Sequence, residues 1–351
     1  MGHFTRLITA IDSHTAGECT RLVTSGLSLI PGDTMADKLA HAEENLPWVP
    51  GFLLLEPRGH KDMFGAILTP PCSPEADAGV LFMDNQGYEP MCGHAIIGTA
   101  TTLLETGMSS MDETETLVTL DTPSGLVRAH ARTEGGSVAS VSFDNVPAFV
   151  YRSNAEIQVP EVGTLTIDVV FGGLFFVFVD ASQLGIGLLP ENASRLASLG
   201  MQILAVANEE IPVRHPELPH IDRIIDLRFY VNEPGQGGRG RPSGSRIPDS
   251  RNVVVLGDHM IDRSPCGTGT SAEAALRHAE GRLAVGESFV TESIIGTQFT
   301  GTVVAEATVG SGAVSFSGVF PRITGSACIT GFHQFVLDLD DPFPEGFRLR
   351  M

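Results

Sequence analysis

Two cysteines, Cys92 and Cys266, occupy nearly matching sequence frames, one in each half of the 351-residue chain. Each is followed directly by a glycine, and each lies 15 residues before another glycine, Gly107 in the first frame and Gly281 in the second. A thiolate can remove a proton from an activated carbon, and a thiol can return one. Two thiols that act on opposite faces of one carbon would invert its configuration, so the paired frames favour proton-transfer chemistry of this kind.

The residues around each cysteine predict the same local structure, an apolar strand followed by a helix that begins near the cysteine. The strands are expected at 79–83 and 252–256, and the helices at 93–105 and 270–279. A helix N-terminus presents unpaired N–H groups and a positive dipole end, which favour a thiolate and can bind a substrate carboxylate. Gly93, Gly267 and Gly269 would let this backbone approach a ligand closely, because they carry no Cβ atom.

Each of two polar residues near these frames could have either of two roles. His94 could be the base partner of Cys92. A histidine two positions further along a helix should point elsewhere, so contact with a ligand or a carboxylate is equally consistent. Asp262 lies four residues before Cys266 and could either bind a substrate ammonium group or cap the intervening turn. Both alternatives stay open for each residue.

The other cysteines and the lysines limit the chemistry further. The five cysteines include no CxxC pair and no spacing typical of a zinc site, which indicates reduced thiols. We expect Cys19, Cys72 and Cys328 to be small buried hydrophobic residues. Lys38 and Lys61 are the only lysines, and neither lies in a setting typical of a Schiff-base lysine, so we expect no pyridoxal phosphate.

The composition indicates a globular protein and excludes several classes of partner. Acidic residues outnumber basic residues by 42 to 22, and a net charge of −20 disfavours nucleic acid and anionic lipid as partners. The longest apolar run, 169–179, is too short to span a bilayer, and the N-terminus has no continuous apolar segment typical of a signal peptide. We therefore expect a cytoplasmic protein. Arg239, Arg241 and Arg246 lie in a Gly/Pro/Ser-rich stretch that predicts a solvated loop.

The elements that must hold the thiol frames are many short strands around a few helices, in two halves of similar plan, which is typical of an α+β fold. Further strands are predicted at 7–12, 20–24, 52–55, 63–69 and 121–128, and further helices at 35–44 and 191–205. A polar turn is predicted at 13–18. It contains His14 and Glu18, which could lie behind the site or only form the turn.

The chain resembles the proline racemase family over nearly its whole length. The resemblance is carried by the segments IDSHTAGE (11–18), LEPRGH (55–60), DMFG (62–65), MCGH (91–94), GG (172–173) and DRSPCGTGTSA (262–272). The tail residues 325–332 and 341–343 also fit the family pattern. The two cysteine motifs together are highly specific.

The resemblance implies a diaminopimelate-epimerase-like fold with two α/β domains, each a curved sheet around a central helix, and an active site in the cleft between them. The implied domains are residues 1–147, joined by 326–351, and residues 148–325. Cys92 and Cys266 would be the two acid/base residues. The implied substrate-binding residues are Gly93, His94, Asp262, Gly267 and Thr268. The resemblance implies no metal, nucleotide or pyridoxal cofactor, and a homodimer.

Within the family, Cys266 decides between reaction types, because trans-3-hydroxy-L-proline dehydratases usually have threonine at the position that it matches. A cysteine there favours racemisation or epimerisation. The segments GHKDMFG (59–65) and LFMD (81–84) look closer to proline racemases, with 4-hydroxyproline 2-epimerase as the alternative. A dehydratase or an inactive proline-binding protein fits less well. Leu174, which follows Gly172-Gly173, departs from the small or polar residue common in racemases, so it could affect the choice of substrate.

Overall fold

Two sets of strands each pack around one helix that begins at a cysteine. This arrangement is seen in a computed structural model that describes residues 4–232, 246–312, 314–338 and 340–348. The predicted loop positions Arg239 and Arg241 lie outside the described residues, whereas Arg246 is exposed, and its carbonyl accepts a hydrogen bond from Gln298 Nε2 at 2.7 Å. Among the described residues, no helix is both long enough and apolar enough to cross a membrane.

The first unit comprises Met1–Phe143 and Gly325–Met351. Its strands are β1 (Phe4–Thr15), β2 (Glu18–Ser25), β3 (Phe64–Thr69), β4 (Ala78–Asp84), β5 (Tyr88–Glu89), β6 (Glu115–Thr122), β7 (Gly125–Glu134) and β8 (Ser137–Asp144), to which the C-terminal strand Ala327–Asp338 adds. Its helices are α1 (Met35–Asn45), α2 (Trp48–Leu54) and α3 (Gly93–Glu105). The strands lie in the order C-terminal strand, β1, β2, β3, β4, β6, β7, β8, and only β2–β3 and β4–β6 are parallel pairs among those described.

The second unit comprises Asp144–Thr324. Its strands are β9 (Ala148–Val159), β10 (Gly163–Phe171), β11 (Phe175–Asp180), β12 (Ile224–Asn232), β13 (Ser250–Leu256), β14 (Met260–Ile261), β15 (Ser288–Glu292), β16 (Gln298–Ser311) and β17 (Val314–Gly325), so that the C-terminal strand is β18. Its helices are α4 (Ala193–Glu210) and α5 (Gly267–Ala279). The order is β9, β10, β11, β12, β13, β15, β16, β17, and β17 pairs with β9, which closes the ring.

The two units repeat one topology, strand for strand. β1 to β8 correspond to β10 to β17, α3 corresponds to α5, and β18 pairs with β1 as β9 pairs with β10. The parallel pairs β2–β3 and β4–β6 match the parallel pairs β11–β12 and β13–β15. The repeat therefore extends far beyond the two cysteine frames that the sequence reveals.

The central helices α3 and α5 are both 13 residues long, and a cysteine is the N-cap of each. Gly107 and Gly281 follow the helix ends with φ of 72° and 71°, a left-handed conformation that glycine adopts without a steric penalty. Every residue of α3 except Glu105 is buried, and α3 packs against β1, β2, β3, β7 and β18. The predicted helix at 93–105 is therefore confirmed, while the helix predicted at 270–279 begins three residues earlier, at Gly267.

Three local predictions were wrong. The segment 52–55, predicted as a strand, belongs mostly to the helix α2, because a short apolar run fits a buried helix as well as a strand. The polar turn predicted at 13–18 comprises only Ala16 and Gly17. Ser13 and Thr15 belong to strand β1, and their side chains are buried against α3. The strand predicted at 121–128 is interrupted by a turn between β6 and β7.

The helix predicted at 191–205 begins and ends later in the structure, where α4 spans Ala193–Glu210. The predicted domain bounds lie close to the unit bounds, which fall at Phe143/Asp144 and Thr324/Gly325.

Candidate active site

The first thiol site consists of Cys92, Gly93 and His94 at the start of α3. Cys92 is half-buried and has an extended backbone, with φ of −146° and ψ of 111°. Its Sγ atom lies 3.4 Å from His94 Nδ1 and 3.8 Å from His94 Nε2. The His94 ring therefore lies beside Cys92, because Cys92 is the N-cap and its extended backbone turns the thiol toward the first helical turn. Both predicted roles of His94, as base partner of Cys92 and as a ligand contact, stay predictions.

His94 is held in place from two sides. Its ring meets the ring of Phe64 edge-on, with 4.7 Å between centroids, and its backbone carbonyl accepts a hydrogen bond from Thr15 Oγ1 at 2.8 Å. One turn further along α3, a Cβ atom on Gly98 would lie only 3.1–3.2 Å from the hydroxyl groups of Ser13, Thr15 and Thr20. The close packing of α3 on the β1–β2 hairpin therefore positions the histidine beside the thiol.

The second thiol site consists of Asp262, Cys266, Gly267 and Thr268 before and at the start of α5. Cys266 is only 6% exposed, and its φ of 65° is unusual for a residue with a side chain. Its Sγ atom accepts a hydrogen bond from Gly269 N–H at 3.4 Å and lies 3.4 Å from Thr268 Oγ1. This thiol is thus in direct contact with the helix N-terminus, as the sequence predicts.

A chain of hydrogen bonds holds the backbone of Cys266. Its N–H group donates to Ser264 Oγ at 3.0 Å, and the N–H group of Ser264 donates to Asp262 Oδ1 at 2.7 Å. Thr270 Oγ1 donates to the Cys266 carbonyl at 2.6 Å. Asp262 therefore caps the turn, as one of its two predicted roles requires, and its second predicted role, binding of an ammonium group, stays a prediction.

The environment of Cys266 opposes the thiolate. Burial raises the pKa of the Cys266 thiol, and the negative charges of Asp262 and Asp226 raise it further. The hydrogen bonds from Thr268 and Gly269 lower the pKa by less. The N–H group of Gly269 at the helix N-terminus thus favours the thiolate, as the sequence predicts, but burial and two carboxylates outweigh it at Cys266.

The Gly172-Gly173 turn packs directly against the first turn of α5. A Cβ atom on Gly172 would lie 2.3 Å from the Thr268 carbonyl oxygen and 2.5 Å from the Ala272 nitrogen, so only glycine fits. Asn145 Nδ2 ties this turn to α5 by donating to the Gly172 carbonyl at 3.1 Å and to Ser271 Oγ at 2.9 Å. The turn thereby supports the N-terminal residues of α5.

Leu174, the residue that departs from the family pattern, is half-buried. It packs on the apolar cluster that includes Cys266.

His14 and Glu18, the two residues proposed to lie behind the site, are strand residues of the β1–β2 hairpin. His14 Nδ1 accepts a hydrogen bond from Gly17 N–H at 3.2 Å, and Glu18 is fully buried with its Oε1 atom 3.3 Å from Cys19 N. Their described contacts support the hairpin that packs on α3.

Other predicted residues have different settings. Cys19 and Cys72 are half-buried, but the expectation of burial was wrong for Cys328, which is exposed on the outward face of β18. Lys38 is buried, and its ammonium group donates to Thr69 Oγ1 at 3.3 Å and to the Pro70 carbonyl at 2.5 Å. Within the described ranges, no three His, Cys, Asp or Glu side chains are grouped to hold a metal ion.

Two charged residues near Cys266 were missed by the sequence reasoning. Asp226 and Arg228 alternate along β12 and are 3% and 0% exposed. Arg228 Nη1 donates to the carbonyl of Pro265 at 2.9 Å. The available signal was the pair of charges inside the otherwise apolar run 224–231, but only the fold shows that this strand passes beneath the start of α5.

Comparisons with known proteins show the family to which the chain belongs. The proline racemase family profile matches residues 10–348. A proline racemase from Clostridioides difficile is 47% identical over 347 residues, which cover 99% of each chain. A 4-hydroxyproline 2-epimerase from Streptosporangium roseum is 41% identical over 344 residues, covering 98% of this chain and 99% of that protein.

A solved structure is also similar. The crystal structure of a hydroxyproline epimerase from Agrobacterium vitis, with bound trans-4-hydroxy-L-proline, matches with a TM-score of 0.84 at 37% identity and covers 98% of this chain and 96% of that chain. The predicted α+β, diaminopimelate-epimerase-like fold class is thereby confirmed. The chain belongs to the proline racemase family, and it is an isomerase.

Proposed function

We propose that this protein is a proline racemase that inverts Cα by means of two thiols, Cys92 and Cys266. The observation that carries the proposal is that a cysteine caps each of two equivalent 13-residue helices. The 47% identity with the Clostridioides difficile proline racemase over 99% of both chains supports proline as the substrate. The motifs at 59–65 and 81–84 support the same choice.

In the proposed reaction, the thiolate of one cysteine takes the Cα proton, and the thiol of the other donates a proton to the opposite face. The electron pair of the broken C–H bond is delocalised into the substrate carboxylate and then forms the new C–H bond. N–H groups at the starts of α3 and α5, beginning with Gly93 and Gly267, would stabilise the negative charge that develops on the carboxylate. The reverse reaction exchanges the two roles, so the thiols titrate as a coupled pair.

Asp262 is proposed to bind the substrate ammonium group, and His94 and Thr268 to contact the substrate beside each thiol. A bound cation near Asp262 would offset the charge that raises the pKa of Cys266, so substrate binding itself would favour thiolate formation there. His94, 3.4 Å from the Cys92 sulfur, would orient the other thiol or share its proton.

A second candidate is epimerisation of trans-4-hydroxy-L-proline to cis-4-hydroxy-D-proline. The observation that favours it is the structural match to the Agrobacterium vitis epimerase, whose crystal structure contains trans-4-hydroxy-L-proline. Both reactions use the same two thiols, and the contacts to the ring distinguish them. Leu174 is the residue proposed to influence this choice, because an apolar side chain offers no hydrogen bond to a hydroxyl group.

The test is a substrate panel of L-proline, trans-4-hydroxy-L-proline and trans-3-hydroxy-L-proline, read by loss of the α-hydrogen and by chiral chromatography. We expect kcat/KM for proline to exceed that for 4-hydroxyproline by about tenfold or more, since one unmatched buried hydroxyl costs on the order of 1–3 kcal/mol. The reverse preference would assign the epimerase. A dehydrated product from the 3-hydroxy isomer would assign the dehydratase, and binding without exchange would indicate an inactive proline-binding protein.

This proposal also includes three expectations from the sequence. They are a homodimer, a cytoplasmic location, and two domains that span 1–147 with 326–351 and 148–325. Sedimentation equilibrium tests the dimer, and fractionation of the source cells tests the location.

A further inference from the structure

Arg228 is fully buried beneath the start of α5 and is anchored there from three directions. Its Nη1 atom donates at 2.9 Å to the carbonyl of Pro265, the residue directly before Cys266. Its Nη2 atom donates to Thr291 Oγ1 at 3.0 Å and forms an ion pair with Glu273. The guanidinium group therefore links β12 and β15 to α5 and to the backbone that leads into the thiol.

Glu273 completes a buried charged network. It is 4% exposed and accepts hydrogen bonds from Ser250 Oγ at 2.6 Å and from Arg277 Nε at 2.8 Å. Burial raises the pKa of Glu273, but Arg228 and Arg277 together lower it below its ordinary value, so the carboxylate stays charged. The charged Glu273 carboxylate therefore gives the Arg228 guanidinium a fixed ionic partner.

The backbone of Cys266 requires such an anchor. A φ of 65° is disfavoured for a residue with a Cβ atom and persists only where the surroundings enforce it. Arg228 Nη1 donates to the Pro265 carbonyl on the N-terminal side of this strained residue at 2.9 Å, and Thr270 Oγ1 lies 3.2 Å from the same oxygen. Thr270 Oγ1 is closer to the Cys266 carbonyl, at 2.6 Å, so Arg228 supplies the shorter contact to Pro265. Gly269 allows the guanidinium to pack beneath the first turn, because a Cβ atom there would lie 3.0 Å from Nη1.

We propose that Arg228 is a positioning residue for Cys266, which holds the thiol in its left-handed backbone conformation against the N–H group of Gly269. The first unit needs no such device, because Cys92 has an ordinary extended backbone. The position seven residues after Cys92 is Thr99, whereas the position seven residues after Cys266 is Glu273.

The inference deepens the proposed racemase function and rests on it for its kinetic consequences. Arg228 does not touch the substrate in this account, so its loss should lower kcat more than it changes KM. The charged groups that face Cys266 are Asp262 from the preceding loop and Asp226 and Arg228 from β12, with Glu273 and Arg277 behind them on α5. Arg228→Lys keeps the positive charge among these groups and removes only the forked geometry.

The experiment compares Arg228→Lys with the matched control Arg277→Lys. Arg277 belongs to the same network and is also buried, with 7% exposure against 0% for Arg228. Its described hydrogen bonds go to Glu273, Asn232 and the Asp249 carbonyl instead of Pro265. Iodoacetamide labels the thiols of each folded variant, and mass spectrometry gives the labelling rates of the Cys92 and Cys266 peptides in the same sample. The labelling needs no catalysis, so it tests Arg228 even if the protein is not a racemase.

In Arg228→Lys, we expect Cys266 to relax out of its buried position and to be labelled about tenfold faster relative to Cys92, since thiol reactivity follows exposure. With proline, kcat should fall about 10²-fold with KM within about threefold, because a misplaced catalytic group costs on that order. Arg277→Lys should stay within about threefold of wild type in both measurements. Equal labelling and equal kcat in the two variants would overturn the proposal.

If Arg228→Lys does not fold, as judged by circular dichroism, Thr291→Val takes its place. This variant removes only the 3.0 Å hydrogen bond from Arg228 and the other hydroxyl contacts of Thr291, and it introduces no charge. The same direction of change, about threefold in labelling and kcat, is expected from one lost hydrogen bond. Unchanged Cys266 labelling in Thr291→Val would then overturn the proposal, and wild-type protein without proline racemisation would overturn only the proposed function.

Discussion

The two thiols occupy the same place in two copies of one topology, yet their surroundings differ. Cys92 is half-buried, has an extended backbone and lies against the ring of His94. Cys266 is buried, has a left-handed backbone and lies against an N–H group, a hydroxyl group and two carboxylate charges. The repeated fold thus supplies two equivalent positions, and the neighbouring side chains give each position its own acid–base character.

This difference suits a reaction that needs one thiol and one thiolate at a time. Because burial and the charges of Asp262 and Asp226 raise the pKa of Cys266, its thiol is protonated in the free protein near neutral pH. In the proposed reaction the two thiols exchange protonation states during turnover, so this difference would apply to the free protein.

The largest expected effect comes from removing either thiol. Cys92→Ser and Cys266→Ser should each lower proline racemisation about 10³-fold, the order of a lost general acid or base. Each variant should still exchange the α-hydrogen of one enantiomer with D₂O, and the two variants should act on opposite enantiomers. The exposed thiol variant Cys328→Ser, measured alongside by NMR and polarimetry, should behave as wild type. Exchange of the same enantiomer by both variants would break the comparison.

The next effect concerns the charge that distinguishes the second thiol site. Asp262→Asn should raise KM for proline about tenfold or more, since a charged hydrogen bond to an ammonium group is lost. It should also lower the pKa of Cys266, because a like charge next to the thiolate is removed while the amide still caps Ser264. Iodoacetamide labelling against pH checks the second point, with Cys92 as the internal control. A higher labelling midpoint for Cys266 would contradict it.

Two glycine-to-alanine variants compare how tightly α3 and α5 are packed. Gly172→Ala would place a methyl group 2.3 Å from backbone at the start of α5, and overpacking of this kind should cost about 2–3 kcal/mol. Gly98→Ala meets only hydroxyl groups of side chains at 3.1–3.2 Å in the first unit, and the helix propensity of alanine offsets about 1 kcal/mol of that crowding. Guanidinium unfolding midpoints should therefore fall clearly for Gly172→Ala and little for Gly98→Ala; the opposite order would contradict the packing account.

The smallest expected effect is a pH-dependent one beside the first thiol site. Burial, with Asp84 and Glu43 nearby, raises the pKa of Glu89 to about 7. A carboxyl group whose pKa is raised by folding contributes stability that is fully present at pH values below its ordinary pKa of 4.5. This contribution is lost as the pH rises through the folded-state pKa of about 7. Glu89→Gln should therefore raise Tm at pH 8 and leave it nearly unchanged at pH 4.5.

The control for this prediction is Glu113→Gln, which removes the same charge from an exposed position. A shift in Tm for Glu89→Gln that is the same at both pH values would show that burial of the charge is not the cause.

The sequence predicts the thiol sites in part. The helix 93–105 is predictable to the residue because a cysteine precedes it and a glycine ends it, and both signals are local. The full repeat of topology is not visible in the same way, since strand pairing joins residues that are far apart in the chain. Helix α2 was missed because its short, mostly apolar segment has no periodicity that separates a helix from a strand.

The character of Cys266 was even less accessible from sequence. Its left-handed backbone depends on the carbonyl anchored by Arg228, a residue on another strand. Its raised pKa depends on Asp226 and on burial, which are properties of the assembled unit. Local motifs therefore identify the candidate reacting groups, while the pKa of Cys266 depends on its folded surroundings.

The most direct test of two-thiol inversion is the early time course of proline racemisation in D₂O, started separately from each enantiomer. The account predicts that the newly formed enantiomer carries deuterium at Cα from the first turnovers, while the remaining substrate keeps its hydrogen, because a different group donates on the opposite face. Equal deuterium in substrate and product from the start would indicate a single base. That result, or no exchange at all, would contradict the central claim.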